Sequence, residues 1–180
     1  MTYVALLRGI NVGGNRTVPM AKLKATFEGL GFTEVKTLLN SGNVIFNTTA
    51  DPKFLCERIE KAIEHDFEFE VPTLLRSLPE MDKMMRTLPK EWTNDEKTKC
   101  DVLFLWPAVD SRDALNQVSI KPDIEELIYA PGALIWRVGR ENINRGSILK
   151  IVGTDFYKQV TIRSPNTIHK IYALMQAAGS

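Results

Sequence analysis

The chain has 180 residues, of which 44% are hydrophobic, and its 23 basic and 22 acidic side chains leave a formal net charge of +1. This length and apolar content suffice for one sizeable core or two small ones. The near-neutral charge argues against non-specific nucleic-acid binding as the main task, because such binding relies on an excess of Lys and Arg, but it leaves room for a local basic patch.

The sequence carries no sign of export or of membrane insertion. Its N-terminus has no basic region followed by an apolar signal stretch, and no apolar run is long enough to span a bilayer. Cys56 and Cys100 have no metal-ligand spacing and are expected to be free buried thiols, and His65 and His169 have no ligand partner at i+4. We predict a cytoplasmic protein with no membrane partner and no metal site; the sequence specifies no cofactor.

The first half of the chain alternates strands and helices. A cap and a first-turn proline at Asp51-Pro52 start its second helix, in which Phe54 is expected to be buried. The predicted elements, taken in chain order, are strand Tyr3–Leu7, a helix from near Pro19 to Gly31, strands Val35–Leu39 and Val44–Asn47 joined by a turn at Asn40-Ser41-Gly42-Asn43, a helix from Asp51, strand Val71–Leu75 and a short helix with Met81, Met84 and Met85.

The second half repeats this order. The two halves also end alike, since Leu75-Arg76-Ser77 and Ile162-Arg163-Ser164 each close a strand just before a helix. The predicted elements are strand Asp101–Trp106, a helix over Ser111–Val118, strands Glu126–Tyr129 and Ala133–Val138 joined across Ala130-Pro131-Gly132, a helical segment over Ile148–Val152, strand Gln159–Ile162 and a closing helix.

Each half therefore has the element order β-α-β-β-α-β, which is the ferredoxin-like order. We predict an α+β protein formed by tandem duplication of two ferredoxin-like halves, residues 1–90 and 99–180, joined by a linker over 91–98. In each half we expect the first and third strands to run parallel. The turn at Ser41 would then lie at the opposite end of the sheet from Arg8.

The most site-like segment lies between the first strand and the first helix, and we call residues 8–15 the glycine loop. It reads Arg8-Gly9-Ile10-Asn11-Val12-Gly13-Gly14-Asn15. One interpretation is an anion or phosphate cradle, in which loop N–H groups face a ligand and Arg8 adds charge. The other is a tight turn that lets a strand pack on a helix. The spacing matches neither a P-loop nor a dinucleotide-binding fingerprint, and the equivalent segment Pro107-Ala108-Val109 has no glycine.

Two further groups are candidate ligand contacts, each with a structural alternative. Ser41 and Asn43 flank Gly42 and could simply form a hairpin turn. Arg163, Asn166 and Thr167 follow the last predicted strand, where Ser164 and Pro165 are a natural helix start. A capped helix with an exposed arginine explains the latter two residues, but not an arginine at the end of an apolar strand.

These segments together resemble the bacterial family known as domain of unknown function 1697. The resemblance rests on the glycine loop, on Leu30-Gly31-Phe32, on Ser41-Gly42-Asn43-Val44, on Leu88-Pro89-Lys90-Glu91-Trp92 and on the C-terminal Thr161–Thr167. It departs near the C-terminus, where the family pattern Arg-Asn-Trp-Asn-Thr is replaced by Arg163-Ser164-Pro165-Asn166-Thr167. If that tryptophan stacks on a ligand, this chain lacks the contact. The resemblance implies a two-part α/β protein and no particular reaction.

The functional hypothesis is binding of a phosphate-bearing or other anionic small molecule at the glycine loop. One alternative is an enzyme acting on such a ligand, with Asp51, Glu141 and Asp155 as general-base candidates only by elimination. Another is an RNA-binding protein, but the third strands lack the aromatic pattern that stacks on bases, so a nucleic-acid partner is not favoured.

Overall fold

The computed structural model describes residues 1–14 and 16–179. They form two compact units, the first comprising Met1–Leu78 and the C-terminal residues from Ile171, and the second comprising Pro79–Lys170. Each unit contains a four-stranded sheet in which neighbouring strands are antiparallel. The division of the sequence at 91–98 remains a prediction about the repeat.

The first unit has the ferredoxin-like topology. Its strand order is β2-β3-β1-β4, so β1 lies at the centre of the sheet beside β3 and β4. The elements are β1 Thr2–Leu7, α1 Met20–Gly29, β2 Thr33–Leu38, β3 Asn43–Asn47, α2 Pro52–Phe67 and β4 Thr73–Ser77.

The expected parallel pairing of the first and third strands is wrong. β1 and β3 are antiparallel, with Leu6 opposite Asn43, and the N–H of Leu7 donates to the carbonyl of Gly42 at 2.9 Å. The helical crossover returns β2 in the direction of β1, and the tight hairpin then reverses β3. The turn before β3 therefore lies beside the end of β1, next to the glycine loop.

The core of the first unit lies against the face of the sheet that carries Tyr3, Ala5 and Leu7. Helix α2 contributes Leu55, Ile59 and Ile63, whose i, i+4, i+8 spacing makes one apolar stripe. Phe54 was expected in this core, but it is 51% exposed because it falls off that stripe. Asp51 caps α2 by accepting a hydrogen bond from the Lys53 N–H at 2.9 Å.

The second unit repeats the topology, with strand order β6-β7-β5-β8. This confirms the prediction of two similar ferredoxin-like halves. Its strands are β5 Thr98–Leu105, β6 Glu125–Ala130, β7 Ala133–Gly139 and β8 Val160–Arg163. The remaining α-helices of the described residues are α3 Leu78–Thr87, α4 Asp155–Lys158 and α5 Pro165–Ala178. Among the described residues, no helix is both long and apolar enough to cross a membrane.

The duplication extends to individual backbone hydrogen bonds at the end of the central strand. The bond from Leu7 to Gly42 has its counterpart in a bond from Leu105 to Gly132, also 2.9 Å long. A second bond, from the N–H of residue 8 to the carbonyl of Pro72 at 2.9 Å, corresponds to one from residue 106 to Gln159 at 3.0 Å. The two sheets therefore share the geometry of the corner at which the glycine loop begins.

The crossover segments differ between the two units. The helix expected over Ser111–Val118 is a 3-10 helix, Arg112–Gln117, and the segment expected at Ile148–Val152 is also a 3-10 helix, Ile148–Ile151. The first of these buries only Ala114, so it lacks the apolar stripe that stabilises longer α-helices.

One buried carboxylate joins β6 to β7 and to the segment that follows β7. Oε1 of Glu125 accepts from Nε1 of Trp136 at 2.8 Å and from the N–H of Ser147 at 2.5 Å, while Oε2 accepts from Oγ of Ser147 at 2.7 Å and the N–H of Lys121 at 2.8 Å. Burial alone would raise the pKa of Glu125, but these donors hold it below its usual value. An acidic residue at a strand start gave no signal of this role in the sequence.

Candidate ligand-binding site

The glycine loop leaves β1 through a series of left-handed residues. Gly9, Gly13 and Gly14 have φ of +74°, +63° and +76°. Among the described residues, no heavy atom lies within 4 Å of the position that a Cβ would occupy at any of them. These glycines are therefore required by their backbone conformation and not by tight packing. Asn15, also a predicted contact, lies outside the described residues.

The side chain of Asn11 holds the loop together. Its Oδ1 accepts from the N–H of Val18 at 2.8 Å, and its Nδ2 donates to the Val18 carbonyl at 3.0 Å and to the Asn40 carbonyl at 2.7 Å. Its own backbone, at φ +55°, donates to the carbonyl of Arg16 at 3.1 Å. The amide thus closes the loop on itself and ties it to the hairpin turn.

The hairpin turn before β3 packs against the start of the glycine loop. Gly42 has φ of +74°, and a Cβ there would lie 2.6 Å from Cδ1 of Ile10 and 2.8 Å from Cβ of Leu7. Asn43 is completely buried, and its Nδ2 donates to the Leu38 carbonyl at 2.8 Å and to Oγ of Ser41 at 3.1 Å. Of the two predicted contacts in the turn, Ser41 lies on the surface and Asn43 builds the turn from within.

The charged side chains of the first 27 residues are all basic. Residues 1–27 contain four basic side chains, Arg8, Arg16, Lys22 and Lys24, and no Asp or Glu. Helix α1 begins after Pro19, which supplies no side-chain cap, and its first turn has no acidic residue. The positive end of the α1 dipole is therefore not offset by an acidic residue of its own first turn.

The three predicted contacts of the C-terminal segment belong to the second unit. Nη1 of Arg163 donates to Oγ1 of Thr161 and to the carbonyl of Ile162, both at 2.9 Å. The side chain is buried, so the alternative of an exposed arginine is wrong, and this burial lowers the pKa of Arg163 to about 10. Arg76 occupies the equivalent register position on β4 and is also buried.

Asn166 and Thr167 have structural contacts near the start of α5. Asn166 receives a hydrogen bond from the N–H of Asn94 at 3.2 Å and donates to the Asn94 carbonyl at 3.4 Å. The N–H of Thr167 donates to Oγ of Ser164 at 3.2 Å, which is the expected helix cap. A ligand role for either residue stays a prediction.

The three carboxylates considered as general bases lie apart from one another along the chain. Asp51 is engaged as a helix cap, and Oε1 of Glu141 accepts from Nδ2 of Asn142 at 3.3 Å. Asp155 lines a cleft of about 350 Å³ in the second unit, together with residues that include Ala114 and Phe156. Its hydrogen bond from Lys158 lowers its pKa, which makes it a weaker base.

Both thiols are expected to react slowly in the folded protein. Burial, and then the Glu60 carboxylate, raise the pKa of Cys56 to about 11, and burial, followed by Asp101, raises the pKa of Cys100 to about 12. Because the thiolate is the nucleophile, native-state alkylation by iodoacetamide at pH 7.5 should be at least about a hundredfold slower than in denaturant. Mass spectrometry of timed reactions measures this, and equal rates in both conditions would contradict it.

Comparisons with known proteins agree with this fold. The structure is similar to that of the conserved bacterial protein SP0830 from Streptococcus pneumoniae, with a TM-score of 0.83 and 27% sequence identity over 97% of this chain and 98% of that chain. No curated protein matches the sequence. Residues 1–136 match the family described as "Protein of unknown function (DUF1697)", a range that includes the glycine loop and excludes Thr161–Thr167. Because this match spans most of the sequence, the chain belongs to that family of proteins of unknown function.

Proposed function

We propose that this protein binds an anionic small molecule at the glycine loop, with phosphate-bearing compounds as the preferred class. The observation that carries the proposal is the comparison of the two equivalent corners. At the end of β5, the N–H groups of Leu105 and Trp106 make the same two backbone bonds to the sheet, and the following segment Pro107-Ala108-Val109 contains no glycine. The topology therefore does not demand glycines at this corner, and their accumulation in the first unit needs another reason.

The exposed backbone and the local charge supply that reason. Turns that include left-handed residues can bring successive N–H groups to one side, and such concavities bind phosphate and other anions. The solvent side of Gly9, Gly13 and Gly14 is open to a ligand. Arg8, at the end of β1, and the uncapped start of α1 bring positive charge to the same loop.

Replacing Arg8 by alanine tests the proposal. Loss of a charged hydrogen bond to a bound anion costs about 1.5–3 kcal/mol, which is roughly a tenfold to hundredfold loss of affinity. We expect the stabilisation by inorganic phosphate or pyrophosphate to fall strongly, beyond any change in the melting temperature without ligand. Thermal unfolding with titrated anion measures both quantities.

Lys53→Ala is the matched control, because it removes one positive charge from the exposed start of α2 in the same unit. The control should keep the affinity of the wild type. An Arg8→Ala protein that melts far lower and keeps its anion response would make Arg8 a structural residue. Micromolar binding of mixed-sequence single-stranded RNA at physiological salt would instead favour the RNA-binding alternative. We place the protein in the cytoplasm, where both thiols stay reduced.

A further inference from the structure

We infer that Asn11 is the positioning residue of the proposed anion site, an inference that rests on the proposed function. Its side chain does not need to touch the ligand. It fixes the two ends between which residues 12–14, Arg16 and Thr17 lie, and the backbone groups of these residues would make the contacts. The geometry points to this role because Nδ2 donates both of its hydrogens, and Oδ1 accepts a hydrogen bond, within the protein.

The hydrogen bonds of Asn11 define the two ends of the ligand-facing segment. One end follows Ile10, which is buried beneath the hairpin turn, and the other end is Val18, which is buried in the core. Asn11 bonds both the N–H and the carbonyl of Val18, so it holds these ends at a fixed separation. The residues between them that are described are exposed.

The third bond couples the loop to a different part of the sheet. Nδ2 of Asn11 donates at 2.7 Å to the carbonyl of Asn40, which lies 29 residues away in the hairpin turn. Since the turn is anchored to the end of β1 by the bond from Leu7 to Gly42, the loop is held against a rigid element. A loop held in its binding conformation has less entropy to lose when an anion binds.

Asn11→Gly is the most direct test, because glycine tolerates the φ of +55° and the variant loses only the three side-chain hydrogen bonds. We expect the dissociation constant for inorganic pyrophosphate, measured by calorimetry, to rise about tenfold. The heteronuclear NOE of the Gly13 and Gly14 amides should fall in the same variant, reporting increased fast motion. Asn11→Ser, whose hydroxyl can replace one of the three hydrogen bonds, should give an intermediate loss and serves if the glycine variant does not fold.

Thr26→Val is the matched control for general destabilisation. It removes the 2.6 Å hydrogen bond from Thr26 to Asp66, which joins α1 to α2 in the same unit and involves no residue of the glycine loop. It should lower the melting temperature and leave the pyrophosphate affinity unchanged. Equal weakening in both variants would overturn the inference, as would wild-type affinity in Asn11→Gly or Asn11→Ser. The latter result would leave the proposed function standing, whereas a wild type that binds neither phosphate nor pyrophosphate would remove both.

Discussion

Replacing Glu125 by alanine is expected to lower the free energy of unfolding by about 4 kcal/mol. The substitution removes the acceptor of four hydrogen bonds and leaves the indole N–H of Trp136 and both donors of Ser147 buried without that partner. Each unsatisfied buried donor costs about 1–3 kcal/mol. Urea denaturation followed by tryptophan fluorescence measures the loss. A change below about 1 kcal/mol would contradict the interpretation.

The neighbouring residue provides the control. Glu126 is also a carboxylate on β6, but its side chain is 57% exposed and forms a surface ion pair with Arg137 at 2.8 Å. Glu126→Ala should cost less than about 1 kcal/mol, as surface pairs usually do. A similar loss in both variants would mean that the β6 backbone, and not the buried acceptor, is sensitive to substitution.

The Glu125 carboxylate also predicts a dependence on pH. Its folded-state pKa is lowered, so the unfolded chain binds the proton more tightly and the contribution to stability is present at neutral pH. This contribution should be lost as the pH falls below about 4.3, the ordinary glutamate pKa, and through the folded value. The difference in stability between wild type and Glu125→Gln should accordingly be constant from about pH 7 to pH 5 and then shrink.

Replacing Gly42 by alanine should cost about 3 kcal/mol. Part of this is the strain of a side chain at positive φ, about 1–2 kcal/mol. The rest is overpacking, because the new Cβ would lie 2.6 Å from Cδ1 of Ile10 and 2.8 Å from Cβ of Leu7. The Leu7 contact belongs to the central strand and cannot yield without moving β1. Chemical denaturation gives the free-energy difference.

Gly14→Ala isolates the strain from the overpacking. Its φ of +76° matches that of Gly42, but no heavy atom of the described residues lies within 4 Å of its Cβ position. We expect a loss of only about 1 kcal/mol. Equal losses at the two glycines would show that the contact of Gly42 with Ile10 and Leu7 carries no energetic weight. The hairpin turn would then be a weaker support for the glycine loop than its geometry indicates.

The sequence identified the elements whose apolar residues recur at regular spacing or whose ends carry a recognisable cap or turn. Helix α2 was predicted from its cap at Asp51 and from the spacing of Leu55 and Ile59, and both hairpins were predicted from their turn residues. Strand β4 was placed two residues too early because Arg76 and Ser77 are polar, although both pair with β1. A hydropathy pattern does not show that the backbone hydrogen bonds between two strands continue through polar residues.

The sequence by itself determined the ferredoxin-like order of each half and the location of the glycine loop. The apolar periods of strands and helices, and the glycines between them, are local properties of the chain. Only the tertiary structure decided what lies next to the loop. The antiparallel return of β3 places the hairpin turn beside Arg8, and the bond from Asn11 to Asn40 joins residues 29 positions apart. Such contacts, like the burial of Glu125 and Arg163, depend on how strands return through the sheet, and that is a property of the whole fold.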